Sequence, residues 1–350
     1  MNMDKKFDVV IGNPPYQEER KGERAAASPI YDQFMDAAYE LADQAILITP
    51  ARFLFNAGAT KKSWNEKMLS DKHLKVSWYD ADSGKIFPGT NIPGGIAVTY
   101  RNSKKLLEPI GVFSRYDELN SIRIKVTEHA TFESFEPNVS NRGSYRYSDN
   151  AYADVPALSE KTSDRRVAPS AFDRLPEMFF NVRPTDDHAY VRLMGREDGT
   201  RIYKWVRSDY LTAPESLWDY KVVVSKGHGA AGIIGKPVPA QLLGKPFVEE
   251  PGVGFTETFI SAGSFKTSDQ AHSCVKYLSG KFARVMLGVL KATQNIPASV
   301  WKYIPNQNFT DKSDIDWSKS TPEIDQQLYK KYRLSAAEID FVESYVSAMD

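Results

Sequence analysis

The chain has 350 residues, 41% of them hydrophobic and 26% charged, and its 45 basic residues are balanced by 45 acidic ones. This length allows two domains, each with its own core. A single cysteine, Cys274, excludes a disulfide framework and a cysteine-rich zinc site, and the five histidines lack ligand spacing, so we expect no bound metal. Neither a signal segment nor an apolar run of about 18 residues is present, which predicts a cytoplasmic protein without a membrane partner.

The first hundred residues have an α/β pattern. Residues 7–11 (FDVVI) form a short apolar run, which is typical of a strand buried on both faces. A polar loop follows over 17–28, and a Gly- and Pro-rich loop covers 84–94. Between and after these loops, periodicity predicts helices over 30–42 and 64–69 and strands over 45–49, 74–79 and 95–101.

After about residue 130 the predicted strands become short and the turns frequent. Asp198-Gly199 predicts a hairpin between strands at 190–193 and 201–207, and a third strand is predicted at 221–225. An apolar stripe predicts one helix over 268–290, and the tail from 314 to 350 is again helical in pattern. We therefore divide the chain into domains 1–110, 111–310 and 311–350.

The first strand runs directly into Asn13-Pro14-Pro15-Tyr16. One chemistry that this motif could serve is methyl transfer to the exocyclic amine of adenine. This amine is a poor nucleophile, because its lone pair is delocalised into the ring. A catalyst must hold acceptors against its hydrogens, and the Asn13 side-chain oxygen and the Pro14 carbonyl suit that task. Pro14 and Pro15 fix the turn, so these acceptors are preorganised.

Tyr16 offers a ring face to a base extruded from a duplex, since an enzyme that modifies a base must take it out of the stack. The competing interpretation is a simple strand-ending turn, because Asn-Pro pairs favour turns. The apolar strand before the motif and the helix and strand that follow it favour the catalytic interpretation.

FDVVIGNPPYQ resembles motif IV of the N6-adenine DNA methyltransferases, particularly the Eco57I-like restriction-modification methylases. The resemblance continues through IYDQFMDAAYELA, AILITPARFL, KIFP and GGIAV, and it covers residues 1–103. It implies a partial S-adenosylmethionine-methyltransferase-like (Rossmann-like) sheet, an α+β target-recognition domain and a helical C-terminal tail. By this match Phe87 would contact the second face of the flipped base. Alternatively, Phe87 is a core residue beneath a loop.

The resemblance also implies an S-adenosylmethionine site before the motif, but only six residues precede the first strand. We therefore expect the cofactor half on another polypeptide, or a second copy covering the exposed edge of that strand. Residues 227–232 (GHGAAG) and 251–254 (PGVG) are two glycine-rich turns, and neither is followed by a predicted helix that would receive a cofactor. The cofactor-binding residues are thus unknown from the sequence.

The predicted partner is double-stranded DNA. A net charge of zero argues against a protein that coats nucleic acid non-specifically. A chain of zero net charge can still have a local basic cleft that binds DNA. Basic residues cluster on the predicted hairpin and on the strand after it, and we expect them to contact phosphates or base edges unless they are only solvated charges. They are Arg192, Arg196, Arg201, Lys204, Arg207 and Lys226.

The sequence therefore predicts a site-specific adenine-N6 DNA methyltransferase that is inactive without its cofactor half. Two alternatives remain open. In the first alternative, the chain is a non-catalytic DNA-binding or specificity fragment of a restriction-modification enzyme. In the second, it uses the same motif to methylate protein glutamine or ribosomal RNA. Cytosine-C5 chemistry does not fit, because it needs a Cys nucleophile that normally follows Pro, and Cys274 follows Ser273. No chemistry is assigned to residues 303–332.

Overall fold

The computed structural model describes residues 6–18, 28–55, 60–80, 82–90, 92, 94–107, 109–291 and 293–349. The chain divides into two compact units, Met1–Asp117 and Glu118–Asp350. Most of the predicted loop over 17–28 lies outside the described residues. The predicted functional domains remain a prediction, because compactness alone does not test them.

The first unit contains a four-stranded sheet with order β1-β2-β4-β3. Its elements are β1 (Phe7–Gly12), α1 (Tyr31–Leu41), β2 (Ala42–Pro50), α2 (Lys62–Ser70), β3 (Leu74–Asp80) and β4 (Ile96–Asn102). β1 and β2 are parallel, whereas β4 is antiparallel to both β2 and β3. All six predicted elements are present, and the unit is mixed α/β; the fuller Rossmann-like sheet remains a prediction.

Helix α1 covers one face of this sheet. Tyr31, Met35 and Ala38 recur at helical spacing and are buried against Ala45 and Leu47 of β2. Burying such side chains contributes roughly 1.5–3 kcal/mol for each large one. The buried residues of α1 and the inward-facing residues of β2 form a packed layer. β1 and the motif after it lie beside this layer.

Helix α2 is tied to α1 by polar contacts at the edge of the same core. The Trp64 indole Nε1 donates to the Asp36 carboxylate at 3.1 Å, and Lys67 Nζ lies 2.8 Å from the other oxygen. Trp64 also packs edge-on against Tyr31 and Phe53. These contacts hold α2 against the layer that carries the sheet.

The second unit is α+β, with short strands and several helices. Its strands are β5 (Arg146–Tyr147), β6 (Tyr190–Glu197), β7 (Thr200–Arg207), β8 (Leu211–Thr212), β9 (Tyr220–Ser225), β10 (Phe247–Glu249), β11 (Val253–Phe255) and β12 (Phe259–Phe265). Its helices are α3 (Asp117–Thr127), α4 (Asp149–Asp154), α5 (Ala157–Lys161), α6 (Ala171–Arg174), α7 (Ser268–Ser279), α8 (Lys281–Gly288), α9 (Thr321–Lys331) and α10 (Ala336–Tyr345).

The predicted hairpin is present as β6 and β7, which pair in register from Tyr190–Arg207 to Glu197–Thr200. Asp198 and Gly199 form its turn with φ of 48° and 79°, values that Asp tolerates and Gly adopts freely. β11 joins β6 to make one sheet, and β10-β9-β12 forms a second sheet. The hairpin is therefore part of a three-stranded sheet in which β6 is the central strand.

The prediction of one helix over 268–290 is wrong. The chain forms α7 and α8, and Gly280 between them is extended, with φ −65° and ψ 153°. The Asp325 carboxylate accepts hydrogen bonds from the N–H groups of Lys281 at 2.8 Å and Phe282 at 3.1 Å, which caps α8. The apolar stripe continues across the break, so periodicity alone could not reveal it.

The tail is helical only from Thr321, so the prediction that the helical pattern begins at Asp314 is also wrong. The preceding residues form turns, in which Asp316 accepts from the Ser318 N–H and hydroxyl groups. Ser320 and Ser335 begin α9 and α10 with capping boxes. None of the helices in the described ranges is long and apolar enough to cross a membrane.

Candidate functional site

Residues 13–16 lie at the carboxyl edge of the first unit's sheet, directly after β1. The parallel strand β2 ends at the same edge. The loop between β3 and β4 returns there, because Asp80 pairs with Ile96 and Ile96 pairs with Pro50. Open α/β sheets bind ligands outside the carboxyl ends of their strands. The motif and the loop that contains Phe87 thus share the edge at which a site is expected.

The motif is not packed into the core. Asn13 and Pro15 are exposed, and Pro14 and Tyr16 are half-buried. The Pro14 carbonyl accepts no hydrogen bond from a described residue. The two acceptors that the sequence singled out are therefore available to a ligand, as the catalytic interpretation requires.

Tyr16 is fixed by its backbone and by the burial of its hydroxyl group. Its carbonyl accepts from the Ile30 N–H at 3.2 Å, and the next residue, Gln17, bridges to Pro29. Burial raises the pKa of Tyr16, and the nearby Asn13 side chain partly opposes that shift. The buried hydroxyl group of Tyr16 has no hydrogen-bond partner among the described residues.

Phe87 sits in a compact loop at the same edge. Its N–H donates to Ser83 at 2.9 Å, and its carbonyl accepts from Thr90 at 3.1 Å. The Ser83 hydroxyl accepts from the Ile92 N–H at 2.8 Å, which closes the loop. The Phe87 ring is half-buried, and its role opposite Tyr16 remains a prediction.

An aromatic cluster that the sequence did not predict lies at this edge. Phe55, Tyr79 and Phe113 make mutual edge-to-face contacts, with ring centroids 5.2 to 5.8 Å apart. Phe55 is 41% exposed and follows β2, and Tyr79 donates to the Gly94 carbonyl at 3.2 Å. The three residues come from separate segments, so no spacing in the sequence could have grouped them.

The outer edge of β1 pairs with no other described strand. Phe7, Val9 and Ile11 alternate along β1 and are 56, 42 and 74% exposed, whereas Val10 packs into the core. Large apolar side chains on an unpaired edge are a template for association. This is the exposed edge that the sequence predicts; the partner that would cover it remains a proposal.

Neither glycine-rich turn has the geometry of a cofactor loop. After residues 227–232 no helix opens, and two cis peptide bonds follow, at Pro237 and Pro239. A Cβ on Gly232 would meet the Lys236 carbonyl at 2.6 Å, so Gly232 serves close backbone packing. Core side chains of the second unit pack so closely against Gly254 that a Cβ there would clash with them. The chain continues from Gly254 as a strand and not as a helix.

The predicted DNA-binding residues of the hairpin divide between its two faces. Arg192, Arg196 and Arg201 share one face, since Arg196 pairs directly with Arg201 and strand residues alternate. Lys204 points to the other face, where its Nζ lies 5.6 Å from the Phe172 ring centroid. Lys226, at the end of β9, is half-buried. The contacts of these residues with DNA remain a prediction.

Arg207 is engaged within the protein. Its guanidinium pairs with Asp209 at 2.6 Å and Asp154 at 3.0 Å and donates to the Tyr210 hydroxyl at 2.9 Å. The hydrogen bonds to Asp209 raise the pKa of Arg207. Fewer of its donors are therefore left for DNA than the sequence suggested.

Lys221 is fully buried in β9. Its ammonium group donates to the carbonyl oxygens of Leu217, Asp219 and Glu250 at 3.1, 2.7 and 3.2 Å. Burial lowers the pKa of Lys221 to about 8. These contacts indicate a structural role.

Two acidic residues of 303–332, Asp314 and Asp325, have structural roles. Asp325 caps α8, and Asp314 pairs with Lys331 at 2.9 Å. The buried Gln307 side chain donates to the Tyr332 hydroxyl and accepts from Lys331, both at 2.9 Å. Within the described part of the chain, no three His, Cys, Asp or Glu side chains are grouped to hold a metal ion.

Comparisons with known proteins agree with the motif. Residues 1–87 match the family model of the Eco57I restriction-modification methylases, which confirms that resemblance for this region. Over 94 residues the chain is 33% identical to an uncharacterized adenine-specific methylase of Mycoplasma pneumoniae, covering 26% of this chain and 22% of that protein. The solved type IIG restriction endonuclease BpuSI matches with 11% identity and a TM-score of 0.33, over 92% of this chain and 50% of that one. The chain thus spans about a fifth of its curated relative.

Proposed function

We propose that this chain acts on DNA as an adenine-N6 methyltransferase of a restriction-modification system. The observation that carries the proposal is the position of the exposed Asn13 and the half-buried Pro14 at the carboxyl edge of the sheet, inside the region that matches the methylase family. The matched relative is described as adenine-specific, which favours adenine as the target.

The chemistry follows from the two acceptors. The Asn13 side-chain oxygen and the Pro14 carbonyl would each accept one hydrogen of the adenine amino group. This localises the nitrogen lone pair and directs it out of the ring plane as the new bond forms. Because Pro14 and Pro15 fix the turn, holding the acceptors costs little entropy when the base binds.

Tyr16 and Phe87 would hold the extruded base. Tyr16 is anchored through its backbone to Ile30, so its ring is positioned before substrate arrives. Stacking of a base on an aromatic ring is worth about 1–3 kcal/mol, which offsets part of the cost of extrusion. The loop of Phe87 lies at the same edge, and closure of Phe87 over the second face of the base is part of the proposal.

S-adenosylmethionine is the methyl donor that the methylase family implies. The glycine turns at 227–232 and 251–254 do not fit it, because neither opens a helix whose N-terminus would receive a charged group. We therefore assign no residue of the described chain to the cofactor. The exposed β1 edge supports a site completed by residues outside the described ranges, from another polypeptide or a second copy.

The test is methylation in a host that lacks adenine methylation. The chain is expressed with and without the polypeptide encoded beside it, and genomic DNA is sequenced for N6-methyladenine. We expect methylation at one sequence motif when the cofactor-binding polypeptide is present, and its loss with Asn13→Ala. The control Asn138→Ala removes another exposed side-chain amide, outside the motif, and it should leave methylation unchanged.

Two results would reject the proposal. Methyl label that appears only in protein or ribosomal RNA assigns the motif to a different substrate. Sequence-specific DNA binding without methyl transfer in any combination, unaffected by Asn13→Ala, assigns the chain to recognition alone. Purified chain should not bind S-adenosylmethionine detectably by calorimetry, and micromolar binding would contradict the divided site.

A further inference from the structure

The hairpin formed by β6 and β7 carries two arginines directly opposite each other. Arg196 pairs with Arg201, and all residues from 196 to 201 are exposed. Like charges at directly opposite positions destabilise a strand pair. Neither arginine takes part in an ion pair within the described chain, in contrast with Arg207 on the same hairpin. The tip of the hairpin therefore carries two arginines that form no ion pair with a described carboxylate.

Aromatic rings of the second sheet hold both guanidinium groups in place. The Arg201 guanidinium carbon lies 3.8 Å from the Phe247 ring centroid, and that of Arg196 lies 5.4 Å from Phe259. Arg196 also donates to the Ser225 hydroxyl at 3.0 Å. A guanidinium stacked on a ring keeps its remaining N–H groups, at its edge, for an external acceptor.

The same arrangement extends along the hairpin. Arg192 lies 5.4 Å from the Tyr203 centroid and 5.9 Å from Trp205, and Arg183 lies 5.9 Å from the same Trp205 ring. Arg192 pairs with Trp205 in register, so its side chain is on the face of Arg196 and Arg201. We call Arg183, Arg192, Arg196 and Arg201 the arginine surface.

Acidic groups near this surface do not cancel its charge. Glu249 is 5% exposed and accepts a short hydrogen bond from the Tyr203 hydroxyl. It lies opposite the buried Lys221 in the β9–β10 pair, whose charge faces it. Glu197 alternates to the other face of the hairpin, and Asp198 is in the turn. None of the four guanidinium groups forms an ion pair with a described carboxylate, so their outward N–H groups are left for an external acceptor.

We propose that the arginine surface binds the phosphate backbone of duplex DNA. The proposal rests on the proposed function for its choice of DNA. Arg192 and Arg196 are four residues apart, or about 13 Å along a strand, so their guanidinium groups can reach different phosphates. Fixed, planar donors suit phosphate oxygens, because less conformational freedom is lost when they bind.

The test measures binding of the full chain to a labelled duplex of mixed sequence by fluorescence anisotropy, over about 50 to 200 mM salt. Each lost phosphate contact should lower the magnitude of the logarithmic salt slope by about 0.9 and weaken binding roughly tenfold at 0.1 M salt. We expect this for Arg192→Ala and Arg201→Ala, and twice the change in slope for the double variant R196A/R201A.

Arg174→Ala is the matched control, since it removes an exposed arginine of α6, outside the hairpin. It should leave the slope unchanged, and circular dichroism should show every variant folded. Unchanged slopes in the variants of the arginine surface, equal losses for Arg174→Ala, or tighter binding to single-stranded RNA than to duplex DNA would overturn the inference. If the slopes respond but no adenine is methylated, the arginine surface stands and the proposed function fails.

Discussion

Ile11 lies in register opposite Ile46 in the parallel pair of β1 and β2, yet Ile11 is 74% exposed and Ile46 is half-buried. A parallel strand of this composition is normally covered on both faces. The sequence composition of β1 thus fits a buried position, whereas the described chain covers one side of it. The adjacent Val10, which packs into the core, shows that β1 is in its correct register.

The first prediction concerns this exposed face. Ile11→Lys should change the free energy of unfolding by less than about 0.5 kcal/mol, because the side chain is exposed. Val10→Ala should lower it by about 1–2 kcal/mol, since it removes buried methyl groups. Ile11→Lys should also reduce self-association in sedimentation velocity and abolish methylation in the host assay. A fall in stability as large as that of Val10→Ala would show that Ile11 is covered.

The second prediction separates the ring of Tyr16 from its hydroxyl group. Tyr16→Phe removes a buried hydroxyl without a hydrogen bond, so stability should hold or rise slightly. Methylation should also persist in Tyr16→Phe, whereas Tyr16→Ala should lose roughly 10- to 100-fold in rate with the stacking surface. Both rates come from label incorporation into duplex DNA. Equal loss in the two variants would mean that the hydroxyl group takes part in the reaction.

The third prediction concerns the break between α7 and α8. A Cβ on Gly280 would meet Asp325 Oδ1 at 2.5 Å and the Tyr277 carbonyl at 3.0 Å. Gly280→Ala should therefore lower the free energy of unfolding by about 1–3 kcal/mol, although alanine favours helices. In Gly229→Ala the new methyl group meets the Gln294 side chain at an ordinary 3.6 Å, so urea denaturation should show little change. A stabilising effect of Gly280→Ala would indicate that α7 and α8 can fuse into one helix.

The sequence predicted the elements of the first unit because its strands and helices have clear periods and the motif follows β1 directly. It also predicted the turn at Asp198-Gly199, where local backbone preference decides the conformation. It failed at Gly280, because the residue that caps α8 is Asp325, 45 positions away from Gly280.

Side-chain partners were likewise beyond the sequence. Arg201 and Arg207 look alike along β7, but Arg201 stacks on Phe247 and Arg207 pairs with Asp154 and Asp209. The aromatic cluster of Phe55, Tyr79 and Phe113 depends on tertiary packing in the same way. Local periodicity therefore located the motif, whereas the character of each basic residue required the fold.

The last prediction is a pH dependence that Asp325 gives to the second unit. Burial raises the pKa of Asp325 from 3.8 to about 6, although it caps α8, so the folded state holds its proton more tightly than the unfolded state does. Its contribution to stability is therefore fully present below about pH 4 and is lost as pH rises through 6. The loss is on the order of 2–3 kcal/mol. Urea denaturation between pH 4 and 7 measures it against Asp325→Asn, which cannot ionise, so the variant should gain on the wild type as pH rises.

Asp316→Asn is the contrasting control. Hydrogen bonds from Ser318 lower the pKa of Asp316, so the contribution of Asp316 to stability has the opposite pH dependence and is lost as pH falls below about 4. A difference between wild type and Asp325→Asn that stays constant with pH would mean that Asp325 is ionised throughout, and that α8 is capped by a charge at every pH tested.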